Sequence, residues 1–172
     1  MLSKAVGFTM LFSLLGMIAY YFYPEDKLQA GTEIDKLVVY KSKRQLLAYA
    51  KGHLVKTYTV SLGKEPVGDK EFEGDKKTPE GLYFISDKNP NSGYHKNLGI
   101  SYPNQEDIAA ANRLGKPTGG DVKLHGLRNH TGFINKFHRW YDWTLGCIAV
   151  TDEEIDELYS AVKIGTPIEI NP

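Results

Sequence analysis

His125–Val150 reads HGLRNHTGFINKFHRWYDWTLGCIAV, and it holds the only cysteine of the chain and three of its five histidines. Cys147 closes a polar approach, Asp142-Trp143-Thr144-Leu145-Gly146, and leads into the apolar run Ile148-Ala149-Val150. A buried, inert thiol is the ordinary reading of a lone cysteine. The flanking glycine and the polar approach favour a nucleophile instead. A working thiol needs a raised thiolate fraction, room for a substrate and donors for an oxyanion. An unperturbed thiol near pKa 8.5 is only about 3% thiolate at pH 7, so a neighbouring base is required. His125 ends an apolar strand before Gly126, where it can project from a fixed element into a cleft. His130 and His138 fall in the connection to the cysteine. A zinc site from His125, His130, His138 and Cys147 would need spacings that match no compact ligand pair.

On both sides of this stretch the chain is organised as short strands with few helices. Leu37–Tyr40, Gln45–Ala50 and His53–Leu62 are rich in β-branched and aromatic residues and are separated by turns, as in an antiparallel meander. Within the third run, Tyr58 and Val60 fall on one face and Thr57, Thr59 and Ser61 on the other, as in a half-buried strand. Gly63–Thr78 reads as a long polar loop, and Leu82–Ser86 as a further strand. Asn104 is placed to cap a helix to about Leu114. Val122–His125 resumes a strand. Thr151-Asp152-Glu153-Glu154 is a capping box that opens a helix to about Val162. Ile168–Ile170 closes the chain as a strand. The expected fold is therefore mostly β with two short helices.

Residues 5–23 form an uncharged run of 19. As a helix they would span about 28 Å, close to the roughly 30 Å hydrocarbon core of a bilayer. Tyr20, Tyr21 and Tyr23 stand at one end, where amphipathic rings favour the membrane–water boundary. A cleaved secretory signal is the alternative, with Leu28-Gln29-Ala30 as its candidate site. Both readings export the rest of the chain. We expect residues 1–30 to form a signal anchor and tether, with an N-terminal transmembrane helix, and residues 31–172 to form one extracytoplasmic catalytic domain.

The 172 residues carry 21 Lys+Arg against 21 Asp+Glu. A neutral chain argues against a general nucleic-acid binder, and one cysteine excludes an internal disulfide. The neutrality conceals two blocks. Residues 113–139 hold six bases against Asp121 alone, and residues 142–157 hold six acids and no base. No cofactor is indicated.

Taken together, His125-Gly126 and Thr144-Leu145-Gly146-Cys147-Ile148 resemble the signature of the L,D-transpeptidase (YkuD-type) catalytic domain of bacterial cell-wall enzymes. Lys77-Thr78-Pro79-Glu80-Gly81-Leu82-Tyr83 is similar to the K-T-P-x-G-x-Y turn of that family. The resemblance covers about residues 35–171. Leu145 and Ala149 depart from the common pattern, and the 18 residues between His125 and Thr144 are slightly more than usual. The resemblance implies a YkuD-like β-sandwich, a peptidoglycan partner and, with an inner-membrane anchor, a catalytic domain in the periplasm. Cys147 would form an acyl-enzyme with a stem peptide, and His125 would move the proton. Backbone N–H groups around Gly146 and Cys147 would hold the oxyanion, with Thr144 supporting the turn. A backbone carbonyl is expected to orient the histidine, with Asp142 as the competing orienter. Arg128 or Arg139 would meet a stem carboxylate, and Gly126 and Trp143 would line the substrate site. Transfer to an amine gives cross-linking, and transfer to water gives L,D-carboxypeptidase or amidase activity. A silent wall-binding module is the non-enzymatic alternative. A sortase would need an arginine after the cysteine, and none follows Arg139.

Overall fold

A computed structural model describes residues 2–172, with the side chains of residues 9–172. The first element, α1 (Leu2–Phe22), is a helix. The strands are β1 (Lys36–Tyr40), β2 (Gln45–Ala50), β3 (His53–Thr59), β4 (Gly81–Ser92), β5 (His95–Ile100), β6 (Lys123–His125), β7 (Ile148–Ala149) and β8 (Pro167–Asn171). Two further helices, α2 (Gln105–Arg113) and α3 (Asp152–Ala161), lie within the domain. Both have capping boxes, Asn104 with Asp107 and Thr151 with Glu154, so each helix starts where a side-chain oxygen satisfies its free N–H groups.

The strands form one sheet in the order β3-β2-β1-β8-β4-β5-β6-β7. Its bend lies in β4, whose first residues, Gly81–Phe84, pair with β8 while its later ones, Ile85–Ser92, pair with β5. The two ends of the order then meet. Ser61, just beyond β3, exchanges backbone hydrogen bonds of 2.9 and 2.8 Å with Ala149 of β7. The expected sandwich is thus a single curled sheet closed across its ends. Period-2 alternation explains its filling. Leu37 and Val39, Leu46 and Ala48, and Ile168 and Ile170 are all buried on one face. Ile155 and Leu158 of α3 add to the same core, and α3 lies against β5 and β6.

The N-terminal helix projects apolar side chains into the open, with Met10, Phe12 and Phe22 68%, 69% and 75% exposed. Among the described residues no helix is long and apolar enough to cross a membrane. Residues 5–8 of the expected span lie outside the side chains described. The segment expected to be a tether runs along the domain. The Leu28 N–H donates to Glu157, and Glu25 pairs with Arg139.

Candidate active site

Strands β6 and β7 bring the histidine and the cysteine together. They pair in parallel, with Leu124 opposite Ile148 and His125 opposite Ala149, and the Val150 N–H donates to the His125 carbonyl at 3.0 Å. Cys147 therefore sits level with Lys123, two residues back from His125. Side chains two apart share a face, so Cys147 and His125 look the same way. Both line one cleft of about 400 Å³ together with Tyr94, Asn97, Lys123, Trp143 and Leu145.

His125 is buried, and its Nδ1 lies 2.7 Å from the Gly126 carbonyl. A carbonyl can only accept, so Nδ1 carries the proton and Nε2 is left as the basic nitrogen. Burial pushes the imidazole down to about 4, with the Lys123 charge acting in the same direction. Burial pushes the Cys147 thiol up, against the lowering effect of the Lys123 backbone and of the Lys123 and Lys70 charges. At neutral pH both groups rest uncharged, and the Cys147 thiol donates to the Asp121 carbonyl at 3.8 Å.

The turn before the cysteine is built around Thr144. The Gly146 N–H donates to Thr144 Oγ1 at 3.1 Å, and the Thr144 hydroxyl donates to the Cys147 carbonyl at 2.7 Å. Gly146 has φ +137°, and a Cβ there would meet the Lys77 carbonyl oxygen at 2.8 Å. The turn at Lys77-Thr78-Pro79 thus backs directly onto the cysteine turn. Two internal cations hold that backing loop. Lys41, 2% exposed, donates to the Gly68 and Thr78 carbonyls and to Glu80. Lys70 donates to Asp75 at 2.7 Å, with both side chains buried. The reading of Gly63–Thr78 as a polar loop gave no sign that its charges would turn inward.

A second cleft, also about 400 Å³, opens on the other side of Cys147 and is lined by Lys70, Glu73, Lys76, Gly119 and Gly120. Asp121, Leu145 and Cys147 belong to both clefts.

The other named residues are placed as follows. Trp143 stacks with Tyr94 at 6.2 Å between ring centroids and meets the His125 ring edge-on at 5.7 Å. Gly126 lets β6 pass close to Asp152, whose Oδ1 accepts from the Leu127 N–H. Asp142 does not orient the histidine. It binds Arg44 at 2.7 Å and accepts from the Leu62 N–H, while the Gly126 carbonyl takes the orienting role. The Arg139 side chain is 7% exposed and clamped between Glu25 and Glu154, away from both clefts. Arg128 is exposed and lines neither cleft. Lys123 and Lys70 are the bases beside the sulfur. Among the described residues no three His, Cys, Asp or Glu side chains converge on a metal site.

His138 is 2% exposed, with Nδ1 3.1 Å from Ser61 Oγ and its ring edge-on to Trp143. Burial pushes it down to about 3. An unfolded chain, with histidine near 6.5, binds a proton that the folded chain refuses. The stability His138 contributes is therefore complete above pH 6.5 and is lost as pH falls toward about 3. We expect denaturant titrations at pH 7 and 4.5 to differ by about 2–3 kcal/mol from this residue alone. The difference should shrink in His138→Asn, and an unchanged difference would contradict the assignment.

Comparison with known proteins gives the family and the fold. A family model described as the L,D-transpeptidase catalytic domain (YkuD) matches residues 35–170. The Escherichia coli (strain K12) protein YafK is 28% identical over 130 residues, which are 72% of this chain and 45% of that protein. The chain spans about half the length of the curated relatives it matches. The helical cell shape determining protein Pgp2 from Campylobacter jejuni superposes with a TM-score of 0.61 at 23% identity, covering 81% of this chain and 48% of Pgp2. Bd1075 from Bdellovibrio bacteriovorus gives 0.55 at 25% identity, covering 81% of this chain and 48% of that one. An L,D-transpeptidase from Mycobacterium smegmatis gives 0.53 at 16%, covering 83% and 60%.

Proposed function

Because this chain belongs to the YkuD family of L,D-transpeptidase catalytic domains, we propose that it is a cysteine acyltransferase acting on the stem peptides of peptidoglycan. The observation that carries this reading is the placement of Cys147 at the junction of two clefts, with a neutral, correctly protonated His125 on the same face. Cys147 Sγ attacks the carbonyl carbon of the bond before the terminal D-residue, and His125 Nε2 takes the thiol proton. The oxyanion forms in reach of the Cys147 N–H, since the Gly146 N–H is committed to Thr144. Collapse breaks the C–N bond, and His125 returns its proton to the departing amine. The thioester then passes to an acceptor. An amine gives a cross-link and water gives a trimmed stem.

Two clefts meeting at one sulfur favour an amine acceptor over water, because one cleft can hold the acyl donor while the other presents the nucleophile. The test is muropeptide analysis by mass spectrometry after incubation of purified peptidoglycan with the full chain and with Cys147→Ala. New cross-linked products that depend on Cys147 support transpeptidation. Shortened stems alone would assign the trimming reaction, and no Cys147-dependent change would reject the enzyme.

Substrate carboxylates should be read by Lys123, which lines the cleft, more than by Arg128 or Arg139. Lys123→Ala is expected to raise KM for a tetrapeptide about 3- to 10-fold, with Arg128→Ala within about twofold of wild type. Equal effects in initial-rate measurements would remove Lys123 from the site. The uncharged N-terminal run serves as the anchor in this reading, with the domain on the extracytoplasmic side. Its support is the uncharged run 5–23 and the uncovered side chains of α1.

A further inference from the structure

We propose that the domain rests directly on the bilayer, with Gly132–Trp140 and Tyr141 joining the last turn of α1 in one aromatic belt at the membrane–water boundary. This rests on the reading of α1 as an anchor. The contacts come from both sides of the joint. The Tyr20 ring lies 5.7 Å from Phe137 and 5.9 Å from Trp140, and Tyr21 lies 5.7 Å from Phe137. The Tyr20 hydroxyl donates to the Lys136 carbonyl, and Lys136 Nζ donates to the Tyr23 carbonyl at 2.5 Å. At 1.5 Å rise per residue, Tyr20 lies within about 5 Å of the helix end. Any ring stacked on it occupies the same slab of the membrane profile.

The segment is two-faced. It buries Lys136 and His138 against the domain and leaves Phe133 and Trp140 74% and 60% exposed, with Tyr141 at 64%. Phe22 and Tyr23 continue the patch at 75% and 71%. An exposed patch of this kind marks a partner, and aromatic rings with a polar tip suit the headgroup boundary. Continuity with the uncharged run 5–23, read as the anchor, makes lipid the partner. Charge does not supply the attraction. Lys136 is taken by Tyr23, and Arg139 by Glu25 and Glu154.

The consequence concerns reach. Residues 23–28 have no slack, since Tyr23, Glu25 and Leu28 are all bonded to the domain. The catalytic clefts are then held at a fixed height above the membrane, where they meet only the wall strands nearest the bilayer.

The experiment uses the full chain reconstituted in phosphatidylcholine vesicles whose acyl chains carry bromine near the headgroup. The chain has two tryptophans, and Trp143→Phe leaves Trp140 as the only indole. Trp140 emission is expected to fall at least about twofold relative to unbrominated vesicles, equally at low and high salt. In Trp140→Phe, the remaining Trp143 in the cleft should be unquenched. The wild-type chain should show a partial loss, so the reading does not depend on the folding of either variant. A chain that floats with the vesicles but keeps full Trp140 emission overturns the docking and leaves the anchor standing. A chain that does not float overturns both. Unquenched Trp140 with cross-linked dimers in the vesicles would give the patch to a second copy and overturn the proposal.

Discussion

Cys147→Ser is expected to lower acylation by a stem tetrapeptide by at least about 10³-fold, and His125→Ala by about 10²–10⁴-fold. The two losses should differ in kind. Burial holds His125 as a neutral base with a pKa of about 4 and holds the Cys147 thiol above its ordinary range. No resting ion pair stores a thiolate, so proton transfer has to accompany attack. Serine, a far weaker acid than a thiol, makes that coupled step much harder for so weak a base. Wild-type kcat/KM should therefore fall only as pH drops through about 4, where His125 gains a proton, and not near the usual 6.5. In His125→Ala that acid limb should vanish along with most of the rate. Iodoacetamide, which needs thiolate but no positioned base, should label Cys147 slowly at pH 7 and faster as pH rises, in wild type and His125→Ala alike. Mass spectrometry of the acyl-enzyme and of the alkylated thiol reads both. Rapid labelling at pH 7 that His125→Ala abolishes would show a preformed ion pair and overturn this account.

What the sequence announced were features written within a few residues of one another. Asn104 and Thr151 each stand three residues before a carboxylate, so both helix starts could be read directly. The turn carrying Cys147 and the strand end carrying His125 were legible because both are short motifs. Strand β5 was not, because the hairpin leading to it, Asp87–Lys96, is polar and contains proline, and only pairing with β4 and β6 holds it extended. The non-local partners were also hidden. Arg44 and Asp142 lie 98 residues apart in sequence. Lys41 opens a run, Lys-Ser-Lys-Arg, that reads as a solvated turn, yet its ammonium is a buried hub for the loop behind the cysteine. Arg139 looked like a substrate contact because local charge counts cannot see Glu25, 114 residues away.

The same non-local geometry gives Gly63→Ala the second large effect, at a residue with no chemistry of its own. A Cβ at Gly63 would lie 2.1 Å from the Lys76 carbonyl oxygen and 3.2 Å from Gly146 Cα. Neither neighbour is a side chain that can swing aside. The Lys76 carbonyl already accepts from the Glu65 N–H, the Gly63 N–H donates to Thr78 Oγ1, and the Lys64 N–H donates to the Thr144 carbonyl. Three backbone segments therefore meet at one point: the extension of β3, the Lys77-Thr78-Pro79 turn and the cysteine turn. A methyl group there must push the last two apart or break their bonds, and it disturbs Gly146 in either case. We expect a loss of about 2–4 kcal/mol in denaturant unfolding. Acylation should fall by more than that loss explains, because the surviving folded molecules have a displaced Cys147. Gly165→Ala is the matched control, since Gly165 lines neither cleft. Its Cβ meets nothing within 4 Å, so at φ +89° it should cost only backbone strain, about 1–2 kcal/mol, and leave acylation per folded molecule unchanged. If Gly63→Ala behaved like Gly165→Ala in both measurements, the three-segment junction would not be what positions the cysteine.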